Sequence, residues 1–325
     1  GIPALNGGIW FNTNQGIVRY TESGPGPTLP THGGGAPRNL VLIADGSIWF
    51  SANTLIGRIS QQGTILEQHS VPLAKRLTVA SDGAVWYTRD SSTVGRIASG
   101  IRTEFSAPTD VWSLAPASNG DVWLLGSGFG TSTDSLYRMT ATGSVTVLPL
   151  GYDVLFGRLQ ALPDGTLYIG TGYRNGVLRL EPGRVSVEKV SLPGSEYLAD
   201  SAGNLWTGGY GVLGYISRTG ARNLAVPMPV DPRAPCFNIP AYKYQPVALD
   251  STGGLWVEIF DDALYIGETP PCPKPEPPPM PSLIRIDVAR FLAANDPGSI
   301  PTLSMPMLIA LAIGLALVAI RQVRG

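Results

Sequence analysis

The stretch Asp82-Gly83-Ala84-Val85-Trp86-Tyr87-Thr88, continued by Val94-Gly95-Arg96-Ile97 and by Gly100-Ile101-Arg102-Thr103-Glu104-Phe105, decides the fold. Asp-Gly is the chemistry of a tight hairpin turn, because glycine adopts positive φ and aspartate bonds back to the backbone beyond it. The apolar run Leu77-Thr78-Val79-Ala80 leads into the turn, and Val-Trp-Tyr-Thr leaves it as a second strand. A third strand follows, and the glycine turn at Gly100 opens a fourth.

Working outward, the same grammar recurs along the chain. The aromatic after the turn stands at Trp10, Trp49, Trp86, Trp123, Tyr168, Trp206 and Trp256, at intervals of 39, 37, 37, 45, 38 and 50 residues. Third strands repeat as Ile56-Gly57-Arg58-Ile59, Leu136-Tyr137-Arg138-Met139 and Val177-Leu178-Arg179-Leu180. Four short strands per period of about forty residues are the signature of a propeller blade. The expected fold is therefore all-β, a seven-bladed β-propeller of four-stranded blades. A single blade cannot bury both faces of its sheet, so the six tryptophans sharing one repeat position are expected between blades as core. Only Trp112 lies off the pattern. Asp45, Asp82 and Asp164 have a sufficient reason in the turn itself, and no metal site is expected there.

Composition agrees. Of 325 residues, 40 are Gly, 29 Pro and only 14% charged, which argues against helical bundles and coiled coils, while 43% hydrophobic content argues against a disordered chain. A net charge of −1 without a basic face excludes a nucleic-acid partner. The seventh repeat is irregular: Pro270 to Pro281 holds eight prolines in twelve residues. Either this is an extended excursion within the last blade, with Leu283 to Val288 returning to the sheet, or the propeller ends near Gly267 and the prolines form a stalk. Cys236 and Cys272, each among prolines and without histidine partners, are expected to form one disulfide in an exported domain.

From Ile300 to Ile320 the chain reads 21 residues without a charge, followed by Arg321 and Arg324. Residues 305–320, with part of the preceding stretch, suffice for one C-terminal transmembrane helix with its basic end cytoplasmic. The expected organisation is a propeller over 1–291, a linker over 292–299 and a membrane tail over 300–325. The start at Gly1 is read as a removed signal peptide or a truncation.

The string from Asp82 to Phe105, repeated from Gly46 to Glu67, resembles the blade of the streptogramin (virginiamycin B) lyase-like propellers, and the likeness spans about residues 1 to 290. Ile300-Pro301-Thr302-Leu303-Ser304, an apolar span and an Arg-containing end resemble the IPTL-CTERM sorting tail of Gram-negative bacteria. Where the usual tail continues acidic-Trp-Gly, this chain has Met305-Pro306-Met307. The tail's resemblance implies an exosortase-type sorting protease as partner and a location in the periplasm or at the cell surface.

The lyase resemblance implies a divalent metal such as Mg, a histidine acid/base and a nearby glutamate. The chain's two histidines are His32 and His69, both early, so no catalytic set is assigned to any position. Starts of the innermost strands, by contrast, place Arg38, Arg76, Trp112, Arg158, Glu196 and Gln245 around a central mouth suited to an anionic or carbohydrate ligand. The expected function is an exported, membrane-associated or surface-sorted binding module without catalysis and without a cofactor. A metal-dependent lyase is the alternative. A sensory ectodomain is the third reading, weakened by only five residues following the apolar segment.

Overall fold

The structure is a computed structural model, and it describes residues 1–31, 35–90, 92–127, 134–152, 154, 157–171, 176–191, 196–209, 212–218, 223–226, 242–261 and 283–294. Within them seven antiparallel sheets follow one another along the chain, each an up-and-down meander in sequence order. Blade 3 is typical: Arg76–Val79, Val85–Thr88, Thr93–Ala98 and Ile101–Ser106, with Trp86 opposite Thr78 on one side and Arg96 on the other. The seventh sheet has three described strands, Tyr242–Leu249, Gly254–Asp261 and Leu283–Asp287, and Trp256 pairs with Arg285. Residues 283–287 thus lie in the sheet of the last blade, while Val288, expected to continue that strand, opens a short helix, Val288–Ala294. His32, Cys236, Cys272, the stretch 270–281 and the tail from Ile300 lie outside the described residues. No helix among the described residues is long and apolar enough to cross a membrane.

First strands of neighbouring blades contact one another around most of the ring, so they are the innermost and line the axis. Antiparallel pairing puts every first–second and third–fourth turn on one face of the disc and the connections between blades on the other. The first is the turn face, the second the mouth.

Seven buried clusters fill the seven interfaces, and each contains or packs against the repeated aromatic of one blade with strands of the next. Trp49 packs with Leu77 and Val85, Trp86 with Leu114 and Val122, and Trp206 with Leu255 and Val257. In blades 3 and 5 the indole or phenol tip also finds a partner across the interface: Trp86 Nε1 donates to the Gly120 carbonyl (3.0 Å) and the Tyr168 hydroxyl to that of Gly203 (2.8 Å). The tryptophans are core, as their periodicity predicts.

Two glycines explain the x-Gly-Arg-Ile strand. Gly57 and Gly95 lie opposite Phe50 and Tyr87, whose rings cover the strand, and a Cβ at either position would strike the ring. The arginine has its own work. Arg58 and Arg96 place their guanidinium over Trp49 and Trp86 (5.9 and 5.7 Å to the ring centre) and reach down to pair with Asp45 and Asp82 of the turn. Each turn aspartate therefore holds the hairpin with one oxygen and the third strand with the other; Asp45 Oδ1 accepts from the Ser47 amide (2.8 Å) while Oδ2 meets Arg58.

The ring closes between blades 7 and 1 through side chains. Ile9, Ala248 and Trp256 form the seam's core. Ser251 donates to the Leu5 carbonyl (2.8 Å) and accepts from the Gly7 amide (3.1 Å), and Arg285 pairs with Glu22 (2.7 Å).

Candidate ligand site at the channel mouth

The six mouth candidates come from six blades, and the structure treats them unequally. Arg76 opens the first strand of blade 3 and Glu196 that of blade 6; Arg38 immediately precedes the first strand of blade 2 and Arg158 that of blade 5. Trp112 and Gln245 are not at strand starts. Their strands, Asp110–Pro116 and Tyr242–Leu249, begin earlier and carry β-bulges, between Val111 and Ser113 and between Pro246 and Ala248. A bulge adds a residue that spacing from the turn does not reveal. Trp112 occupies the bulge of its strand and packs against the cluster between blades 4 and 5, so it is a wall of the core rather than a platform over the channel. Gln245 faces Glu258 across the sheet.

The remaining four differ in charge compensation. Arg38 donates to the Asn53 side chain (2.8 Å), which steers it outward over its own blade. Glu196 pairs with Lys243 of the next blade (2.8 Å). Among the described residues no carboxylate lies within ion-pair distance of Arg76 or Arg158, and both side chains are open to solvent. Partial burial, followed by the like charge of Arg158, lowers the pKa of Arg76. The charge of Arg158 also acts on Tyr197 of blade 6 and Glu258 of blade 7. Backbone contacts hold its base: the Arg158 carbonyl accepts from the Gly170 amide (2.8 Å) and the Tyr197 hydroxyl (2.7 Å).

Glu258 and Lys243 complete the mouth and were not singled out from the sequence. Burial raises the Glu258 carboxyl above the usual range against the opposing pull of positive charge, Arg158 included. A signal existed. Two residues after the repeated aromatic stand Asn12, Ser51, Thr88, Leu125, Gly170 and Gly208, and only blade 7 puts a charged residue there. A charge at an otherwise uncharged repeat position marks a departure that the fold does not need.

His69 lies elsewhere. It sits on the outer strand of blade 2, Ile65–Ser70, bonded to Glu67 Oε1 (2.7 Å) and stacked on Trp49 (6.4 Å between ring centres). Among the described residues no group of three or more His, Cys, Asp or Glu side chains is arranged to hold a metal ion.

No family model matches the chain, and no curated protein matches it. Solved structures do. A streptogramin B lyase structure aligns over 79% of this chain and 88% of its own, with a TM-score of 0.61 and 18% identity. The chain has the seven-bladed propeller fold of that lyase. Virginiamycin B lyase from Staphylococcus aureus aligns over 69% of this chain and 79% of its own (TM-score 0.53, 20% identity). A catalytically inactive variant of that enzyme, with one histidine replaced by alanine and bound to quinupristin, aligns over 77% and 84% (TM-score 0.55, 19% identity). The likeness is one of fold. The matched protein is inactivated at a histidine, whereas this chain has no histidine after His69.

Proposed function

We propose that the chain is an exported, membrane-associated or surface-sorted propeller that binds an anionic ligand of carbohydrate type at its channel mouth, without catalysing a reaction on it. The observation that carries this reading is the pair Arg76 and Arg158, two solvent-facing guanidinium groups from different blades that repel each other and have no carboxylate partner among the described residues. Stability alone would not favour such a pair. A carboxylate or sulfate group between them would relieve the repulsion and accept from two planar forks of donors. Half-buried Glu258 and Gln245 beside them offer hydrogen bonds to hydroxyl groups, which suits an acidic sugar better than a simple ion.

The lyase alternative would need an acid/base group and a metal at the mouth. His69, paired with Glu67, stands on the outer strand of blade 2, away from the first strands that line the mouth. Calorimetric titration of the full chain with an oligogalacturonate and with its neutral methyl ester tests the binding reading. Binding of the acid form alone, weakened about tenfold in Arg76→Ala and in Arg158→Ala, is expected; equal binding of both forms, or of neither, overturns it. Mg-dependent ring opening of quinupristin by the same preparation would establish the lyase instead.

A further inference from the structure

The direction of the chain through blade 7 fixes where it leaves the propeller. The second strand, Gly254–Asp261, runs from the turn face toward the mouth, and Leu283–Asp287 runs back antiparallel to it. The helix Val288–Ala294 then starts on the turn face, where the Val288 amide donates to the carbonyl of turn residue Gly253 (3.3 Å). Phe291 packs against Trp206 (6.0 Å between ring centres), which fastens the helix beneath blades 6 and 7. Six peptide steps separate Ala294 from Ile300, the first of the 21 uncharged residues. Fully extended they cover about 20 Å. The apolar segment is thus tethered within that reach of a helix that starts on the turn face.

That face also gathers most of the exposed large apolar side chains. Leu5 lies in the first–second turn of blade 1, and Leu66, Ile101, Val145 and Val185 lie in or just after the third–fourth turns of blades 2 to 5. Their exposure runs from 41% for Val145 to 82% for Val185. Exposed Arg184 stands next to Val185, the arrangement in which an apolar tip enters a lipid interface while the guanidinium stays at the headgroups; Arg102, beside Ile101, is instead held by the Ser70 carbonyl (2.7 Å). Many other charges of the face are compensated in place: Asp45 by Arg58, Asp82 by Arg96, Asp121 by Arg138, Asp164 by Arg218, Glu22 by Arg285. The mouth keeps its uncompensated arginines on the opposite side.

We infer that the turn face rests on the bilayer that the apolar segment enters, with Ile101, Val145 and Val185 seated in the lipid interface and the ligand mouth directed away from it. The inference rests on the reading of residues 300–320 as a membrane span and adds the orientation. The full chain, reconstituted in nanodiscs of phosphatidylethanolamine and phosphatidylglycerol, provides the test through amide hydrogen exchange and flotation. Amides of residues 100–102, 144–146 and 184–187 are expected to exchange about tenfold more slowly in wild type than in the triple variant Ile101→Gln, Val145→Gln, Val185→Gln, with residues 73–76 at the mouth unchanged. All three side chains are exposed, so an unchanged urea midpoint for the variant separates contact from folding. Equal exchange in both proteins, in discs that do carry the chain, overturns the orientation and leaves the membrane span standing. Protection found only in discs with two chains assigns the face to a second copy and overturns the lipid. A chain that does not float with lipid overturns the membrane reading and the orientation together.

Discussion

The two faces of the disc are built from the same seven meanders and obey different rules. On the turn face most blades repeat one device, a turn residue bonded to a third-strand arginine that lies across from, and in blades 2 to 4 stacks over, the second-strand aromatic. Around the mouth no device repeats: the equivalent positions carry arginine, glutamate or glutamine, some paired and some not. A repeated residue answers a need that every blade shares, which is packing on its neighbour. An unrepeated charge left without a carboxylate partner among the described residues, such as Arg76 or Arg158, answers something outside the fold. Blade 5 shows the boundary between the two. Its Asp164 is taken by Arg218 of blade 6, and its own Arg179 turns to Glu188 (2.6 Å), leaving between them a cavity of about 180 Å³ edged by Tyr168.

The contrast is broken most severely by removing a repeated aromatic. Trp86 is fully buried and donates to Gly120 across the interface, so Trp86→Ala is expected to cost about 3–5 kcal/mol in urea unfolding. Trp112→Ala, at the off-pattern and half-buried tryptophan, is expected to cost about 1–2 kcal/mol. Similar losses at both positions would erase the distinction between repeated and unrepeated residues.

Next in size stands the deepest turn carboxylate. Asp250 is buried and accepts from Arg285 (2.7 Å), the Gly254 amide (2.9 Å), Thr252 Oγ1 (2.7 Å) and Trp256 Nε1 (2.8 Å). Burial pushes its carboxyl up, and these donors outweigh burial and hold it well below the usual carboxylate range. A group depressed in the folded state stabilises above its unfolded pKa of about 3.9 and loses that contribution as pH falls toward the folded value. Asp250→Asn is therefore expected to lose about 3 kcal/mol at neutral pH and to flatten the fall in stability below about pH 4. Parallel acid-unfolding curves for the two proteins would count against this assignment.

The blade architecture was legible because it is written seven times; the aromatic, the turn glycine and the Gly-Arg pair each serve a contact that recurs. The mouth was legible only in part. Arg76, Arg158 and Glu196 fall where a fixed distance from the turn places a strand start, but Trp112 and Gln245 do not, because their strands are longer, starting at Asp110 and Tyr242, and each carries a bulge without any signature of its own. Glu258 was visible as a departure from the repeat, whereas the pairing of Glu196 with Lys243 depends on how two neighbouring blades meet, which no local pattern encodes.

Smaller effects sharpen the comparison on the mouth side. Arg158→Ala removes a charge that opposes ionisation of Arg76 and has no carboxylate partner, so its unfolding free energy is expected to stay within about 0.5 kcal/mol of wild type. Oligogalacturonate affinity is expected to fall about tenfold in the same variant, because a charge-assisted pair of donors is lost. A residue that matters for binding and not for folding is what an unrepeated position should be; a large stability loss at Arg158 would make it part of the scaffold.

The smallest effect belongs to His69. Its ring lies on Trp49 and meets Glu67 on a strand remote from the axis, and the Glu67 contact is partly open to solvent. His69→Gln keeps a donor toward Glu67 and most of the stacked surface, so a stability change below about 1 kcal/mol is expected. Ligand binding at the mouth should not change at all, because the residue sits at the rim of blade 2, on the fourth strand, while the candidate ligand groups stand at the first strands and at Glu258 on the second strand of blade 7. A loss of affinity in His69→Gln without a loss of stability would move the site from the axis to the rim. It would also return the histidine to the position of a functional group.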